Sequence, residues 1–134
     1  MVLFSVRTID LPKHAVGGFD HGDVYEGNGY VYVAHPATGA VELMDGIRGT
    51  HLKTIMGCPE ASGVVCAQRE GYVFAASRGS GKVLVINGPK GTVNRVIQAG
   101  SKPNGMAWDQ DDEVLLTADI ADLNGRLVDQ SVAC

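Results

Sequence analysis

Short runs of apolar residues, separated by turns rich in glycine, recur along the chain and predict an all-β protein. The runs Tyr30–Ala34, Tyr72–Ala76 and Val114–Ala118 are apolar at almost every position. A short continuous apolar run bounded by turn residues is typical of a strand buried on both faces. No segment shows a convincing helical period, and no linker divides the chain. We therefore expect one domain of stacked sheets.

The same pattern returns at a fixed interval. Tyr30, Tyr72 and Val114 are spaced by 42 residues. A repeat of about 40 to 50 residues that contains four strands is typical of a β-propeller blade. The predicted innermost strands of the three blades are Asp23–Tyr25, Val64–Ala67 and Met106–Asp109, and the second strands are Tyr30–Ala34, Tyr72–Ala76 and Val114–Ala118. The third strands are Val41–Met44, Val83–Ile86 and Arg126–Val128, and the outermost strands are Leu52–Ile55 and Asn94–Ile97.

The order of the strands predicts how the molecule assembles. Residues Val6–Ile9 match the outer strands Leu52–Ile55 and Asn94–Ile97, so the chain starts with an outer strand. The predicted layout is an exchanged outer strand at 1–10, blade 1 at 19–56, blade 2 at 61–98 and an incomplete blade 3 at 104–130. Three blades leave two apolar flanks and open strand edges.

Two copies related by a two-fold axis would form a six-bladed ring. In this homodimer, the first strand of each chain completes the last blade of its partner, and blade faces bury each other. The alternative is that the chain is a fragment of a longer propeller.

The charge and the cysteine content limit which classes of partner and which cellular compartment the sequence predicts. The chain has 134 residues, a formal net charge of −4, and 11 Lys and Arg residues that form no basic stripe, so we expect neither nucleic acid nor a membrane as partner. The N-terminus has no basic segment or cleavage site of a signal peptide. Three cysteines without regular spacing argue against a disulfide framework and favour the cytoplasm. Cys66 is expected in the core, and Cys58 in a loop.

Two segments of the third repeat resemble a known family. Pro103–Asp109 followed by Glu113–Asp119 is similar to the YVTN/NHL-type propeller repeat, and Tyr30–His35 and Tyr72–Ser77 fit its apolar strand. The resemblance covers nearly the whole chain and implies a propeller fold. Because members of such families include ligand-binding, scaffolding, lactone-hydrolysing and redox proteins, it does not imply one activity.

Candidate chemistry lies in the loops at one end of the predicted blades, around the channel mouth. His21 stands where the other repeats have Gly63 and Gly105, and His35 stands where they have Ser77 and Asp119. A histidine in place of a small residue marks a candidate site, although it can equally cap a strand or bond loop backbone. The candidate ligand-binding residues are Asp20, His21, His35, Glu60, Arg78, Asn104 and Asp119.

The sequence leaves the cofactor open, and a divalent cation at the mouth, with imidazole and carboxylate ligands, is one candidate. Its candidate ligands are Asp20, His21, His35 and Asp119. The function expected from the sequence is a self-associating propeller module that presents a mouth surface for a small ligand or a protein partner. The alternatives are a cation-assisted hydrolase of the lactonase type and a gene remnant without selected activity.

Overall fold

The computed structural model describes residues 1–13, 16–121 and 131–133, and these residues form three antiparallel sheets. The first sheet contains β1 to β4, the second β5 to β8 and the third β9 to β11, each in chain order from its inner edge. The strands are β1 Gly22–Tyr25, β2 Tyr30–His35, β3 Ala40–Asp45, β4 Thr50–Met56, β5 Ala61–Ala67, β6 Tyr72–Ser77, β7 Lys82–Asn87, β8 Thr92–Gln98, β9 Pro103–Asp109, β10 Val114–Asp119 and β11 Ser131–Ala133. A single 3₁₀ turn, Pro36–Thr38, accompanies them in the described part of the chain.

The all-β blade architecture predicted from the repeat is confirmed. Ten of the predicted strands are present, and most extend one to three residues further than predicted. The predicted third strand of the last blade, Arg126–Val128, lies outside the described residues. Instead, β11 pairs with Thr117–Asp119 of β10 and takes the third position in that sheet. Within the ranges that the structure describes, no helix is long and apolar enough to span a membrane.

Residues 1–10 form no strand in the single chain; the sequence predicts a strand here that completes the last blade of a second copy. All of them are exposed except Ile9, which is half-buried. A strand exists only where a neighbour accepts and donates its backbone hydrogen bonds, and one isolated chain offers none to this segment. The exchange of this strand with a second copy stays a prediction.

Both faces of the middle sheet are buried along β5, β6 and β7, which explains the uninterrupted apolar runs of these strands, whereas its outer strand β8 is exposed. Val73 of β6 and Leu84 of β7 pack in a cluster with residues of the first sheet. Phe74 of β6 and Val85 of β7 lie on the opposite face, in a cluster against which Met106 and Trp108 of the third sheet pack. Because neighbouring residues of a strand face opposite sides, a strand between two sheets needs an apolar residue at every position.

One turn position departs from the repeat and predicts a stabilising substitution. Gly29 and Gly71 have φ of 73° and 74° in the turns before β2 and β6, and Glu113 has φ of 55° at the same place before β10. This left-handed conformation costs a residue with a Cβ about 1 to 2 kcal/mol, and the extra freedom of unfolded glycine offsets part of any gain. We therefore expect Glu113→Gly to raise the free energy of unfolding by about 1 kcal/mol in urea denaturation.

The reciprocal change Gly71→Glu is the matched control for Glu113→Gly. A Cβ at Gly71 would lie 3.5 Å from the Tyr25 hydroxyl, an ordinary contact, so backbone strain is the main cost. We expect this variant to lose stability by a similar amount. A Glu113→Gly protein less stable than the parent would contradict the assignment.

Candidate functional site

The candidate residues lie at the end of the sheets that carries the β2–β3 and β6–β7 turns and the connections into β5 and β9. We call this the mouth end. Adjacent sheets are held together there by the inner strands. The Ser62 hydroxyl on β5 donates to the Pro103 carbonyl on β9 at 3.0 Å, and the His21 amide donates to the Ser62 carbonyl at 3.3 Å. The three inner strands are thus fixed side by side, and the loops before them converge.

Arg78 connects residues from the first and third sheets. Its guanidinium donates to the Asn104 side-chain oxygen at 3.2 Å and lies 3.6 Å from the Asp20 carboxylate. Asp20 in turn lies 2.7 Å from the ring Nδ1 of His21. Four of the seven candidate residues therefore meet, and we call Asp20, His21, Arg78 and Asn104 the mouth cluster.

Glu60 lies at the same end but bonds to a different cation. Its carboxylate lies 3.1 Å from the Lys102 ammonium. Glu60 and Lys102 are 42 residues apart and share positive φ values of 49° and 52°, so they occupy equivalent bends before β5 and β9. Lys102, a residue the sequence did not single out, thus adds a second cation to the mouth end.

His35 is not at the surface of the mouth end. The ring is fully buried, its Nδ1 is 2.9 Å from Glu42, and its Nε2 is 2.9 Å from the Val16 carbonyl. Both ring nitrogens therefore already have a partner. His35 holds the loop before β1 against the first sheet, and Phe19 stacks on it with ring centroids 4.7 Å apart. The structure thus favours the structural role for His35 over the ligand role.

The partner of His35 is a buried carboxylate that sequence reasoning missed. Glu42, in the middle of β3, is bonded by His35 on one oxygen and by His51 (2.8 Å) and Thr54 (2.7 Å) on the other. Burial opposes ionisation of Glu42, but the hydrogen bonds from His35, Thr54 and His51 outweigh it and lower its pKa. A charged residue in a strand buried on both faces was the available signal, because such a residue requires partners.

Asp119 is also withdrawn from solvent. It is the last residue of β10, as His35 and Ser77 are the last residues of β2 and β6, so the predicted equivalence of these three positions is confirmed. All three are buried. Burial raises the pKa of Asp119, and a long contact of 3.5 Å from the Thr117 hydroxyl lowers it less.

The four candidate metal ligands are not brought together. Asp20 and His21 are adjacent in the mouth cluster, whereas His35 and Asp119 are buried and bonded elsewhere. In the part of the chain that the structure describes, no group of three or more His, Cys, Asp or Glu side chains is placed to hold a metal ion. The cation site expected from the sequence therefore finds no ligand set here.

The remaining reactive or aromatic candidates are packed. Cys58 and Cys66 are free and buried, and burial raises the pKa of each thiol to about 12, so neither forms a thiolate at neutral pH. Trp108 packs on Phe74 with ring centroids 5.3 Å apart. These residues contribute to the core, as expected for Cys66.

Comparison with known proteins supports the fold and leaves the activity open. No protein-family model matches the chain, and no curated protein matches its sequence. The structure is similar to hydrazine synthase from Kuenenia stuttgartiensis, with a TM-score of 0.70, 13% identity, and coverage of 97% of this chain and 38% of that one.

It is also similar to a catalytically inactive virginiamycin B lyase from Staphylococcus aureus with quinupristin (TM-score 0.68, 13% identity, 92% and 43% coverage). A third similar structure is a candidate 6-phosphogluconolactonase from Bacteroides uniformis (TM-score 0.64, 15% identity, 85% and 39% coverage). The chain has a propeller-type fold. It spans about two fifths of the length of these structures.

Proposed function

We propose that this chain is a self-associating β-propeller module of the YVTN/NHL type whose mouth end binds a small molecule. Two features support this proposal. The first is residues 1–10, which the repeat predicts as an outer strand and which pair with no strand in the single chain. The second is the mouth cluster, where polar groups from the first and third sheets converge.

The observation that supports self-association is the position of Arg7. Its guanidinium donates to the Ile47 carbonyl at 3.0 Å, in the turn between β3 and β4. Lys53, its counterpart in the repeat, extends from β4 to the Gly91 carbonyl at 2.8 Å, in the turn between β7 and β8. The Arg7 contact therefore resembles the contact that Lys53 of β4 makes with the next sheet. This likeness supports the proposal that residues 1–10 serve as the outer strand of a preceding blade.

A second copy of the chain can supply the other strands of that blade. The third sheet ends at β11, which pairs with β10 on one side. In a two-fold ring, residues 1–10 of one copy would pair with the third sheet of the other, and six blades would result. The apolar side chains of this segment have no cover in the single chain, since Met1, Val2, Leu3, Phe4 and Val6 are each at least 76% exposed.

We expect light scattering to give a mass twice that of one chain. Removing residues 1–10 should convert the dimer to monomers or aggregates, because the last blade loses an outer strand and exposes its edge. A subtler variant carries Arg7→Pro and Thr8→Pro together. Consecutive N–H groups point to opposite sides of a strand, so this pair removes at least one ladder hydrogen bond.

The control is Arg7→Ala, which removes the same side chain but keeps both N–H groups, and it should weaken the dimer less than the proline pair. A full-length protein that stays monomeric at high concentration would contradict self-association and favour a fragment of a longer propeller. A dimer indifferent to the proline pair would contradict the strand exchange.

The lactonase-type hydrolase stays the second candidate. It is supported by the likeness to the candidate 6-phosphogluconolactonase, which extends to the fold alone. Asp20, Glu60, Asn104 and Asp119 are the residues that the sequence offers for such a site. Hydrolysis of a lactone that chelation abolishes would favour this candidate over the binding module.

A further inference from the structure

A groove of about 330 Å³ opens at the mouth end, between the β6–β7 turn and the connection from β8 to β9. Its size is at the lower end of the range for small-molecule pockets. Most of its wall is made of small residues or polar uncharged ones, which leave the backbone accessible. The lining residues are Arg78, Gly79, Ser80, Gly81, Gln98, Ala99, Gly100, Ser101 and Lys102.

The charged residues that line the groove have one sign. Arg78 and Lys102 are cations, and no acidic residue is among the described residues of the wall. Their carboxylate partners are Asp20, 3.6 Å from Arg78, and Glu60, 3.1 Å from Lys102. The Glu60–Lys102 pair is exposed, at 55% and 35% of its side chains, so water screens it and it contributes about 0 to 1 kcal/mol. The Asp20–Arg78 pair is only 24% and 26% exposed, but its separation of 3.6 Å is longer than a charge-assisted hydrogen bond. A ligand anion can therefore compete with both carboxylates.

One further carboxylate lies close to the groove. Asp119 is adjacent to Gly100, so close that a Cβ there would collide with it. Its side chain is buried and lies outside the groove wall. Burial also raises its pKa. Asp119 therefore lies behind the groove wall, whereas Arg78 and Lys102 line it.

We propose that this groove binds the anionic group, a phosphate or a carboxylate, of a small polar molecule, with Arg78 and Lys102 as its cationic residues. Arginine recognises such groups with paired N–H donors, and lysine acts as a point charge. The inference rests on the mouth-end ligand surface of the proposed function and specifies its ligand class. The groove is formed within one chain, so it does not depend on the dimer.

The test is an NMR titration of the full chain with matched probes. Glucose 6-phosphate and gluconate each carry one anionic group on a six-carbon polyol, and glucose is the neutral counterpart. We expect at least one of the two anions to shift the amide signals of residues 78–81 and 98–102 with a Kd below about 1 mM, and glucose to shift none. Inorganic phosphate, added alone, shows how much of the affinity comes from the anionic group. The stronger of the two anions identifies phosphate or carboxylate as the preferred group.

The charge-removing variants Arg78→Gln and Lys102→Gln should each weaken binding about tenfold, the size expected for a lost charge-assisted hydrogen bond. The matched control is Lys90→Gln, which makes the same charge change on an exposed lysine in the turn at the opposite end of the second sheet. It should bind like the parent.

No binding of either anion at millimolar concentration would overturn the inference. Binding that both groove variants leave unchanged, or that Lys90→Gln weakens equally, would overturn it too, because the attraction would then come from the overall charge. Mass in solution is measured separately, so a monomer that still binds these anions would contradict the ring and leave the groove assignment intact.

Discussion

Replacing Glu42 by alanine is expected to lower the free energy of unfolding by about 4 kcal/mol, because several buried polar groups would each lose a partner at a cost of about 1 to 3 kcal/mol. Glu42 is fully buried and is hydrogen-bonded to His35, His51 and Thr54. Alanine at position 42 would leave all three side chains without this carboxylate.

The measurement is urea denaturation of both proteins at the same protein concentration. Glu26→Ala is the control, because it also removes one carboxylate, but from an exposed position, and it should change stability by less than about 0.5 kcal/mol. Equal effects of the two substitutions on the free energy of unfolding would contradict the stabilising role of the buried Glu42 carboxylate.

The pH dependence gives an independent check on the same carboxylate. The folded-state pKa of Glu42 is lowered from the ordinary value of 4.5, so its contribution to stability is complete above about pH 4.5. That contribution is lost as the pH falls through the lower folded value. The stability difference between the parent and Glu42→Gln should therefore shrink as the pH falls below about 4.5.

Replacing Gly63 by alanine is expected to lower the free energy of unfolding by about 3 kcal/mol, the upper end of the usual cost of overpacking. An added Cβ would collide with the Asn104 carbonyl oxygen, a backbone atom that can move only if β5 and β9 separate. Since these strands join the second and third sheets, the same substitution should also disturb Arg78 and Asn104 in the mouth cluster.

Gly105→Ala is the matched control, because this glycine occupies the equivalent position in the third repeat and an added Cβ there has no atom within 4 Å. It should leave the thermal midpoint nearly unchanged, whereas Gly63→Ala should lower it by several degrees. If both variants behave alike, the close approach of the two inner strands is not what requires glycine at position 63.

The equivalence of His21 with Gly63 also explains part of the sequence pattern. Gly63 is small because the β9 backbone passes next to it. No described strand lies on the corresponding side of β1, the first inner strand, so His21 has space there and its side chain is 59% exposed. A histidine at this position of the repeat predicts a specialised site, but the space beside β1 is a second explanation for why a large side chain is tolerated there.

Residues His35 and Glu42 show where the sequence prediction was incomplete. The repeat correctly aligned His35 with Ser77 and Asp119, yet it did not indicate that this position is buried in all three sheets. Glu42 aligns with Leu84, which packs between the first two sheets. Only the pairing of β2, β3 and β4 brings His35, His51 and Thr54 around it.

The chain by itself determined the repeat, the four-stranded sheets and nearly all strand positions, because the spacing of turns and apolar runs is a local pattern that recurs in each repeat. Tertiary structure alone decided that Arg78 joins Asp20 and Asn104, that Arg7 repeats the contact of Lys53, and that His35 is buried beside a carboxylate. These contacts connect residues that are distant along the chain or lie in different sheets. Their geometry depends on how the sheets stack, which periodicity does not specify.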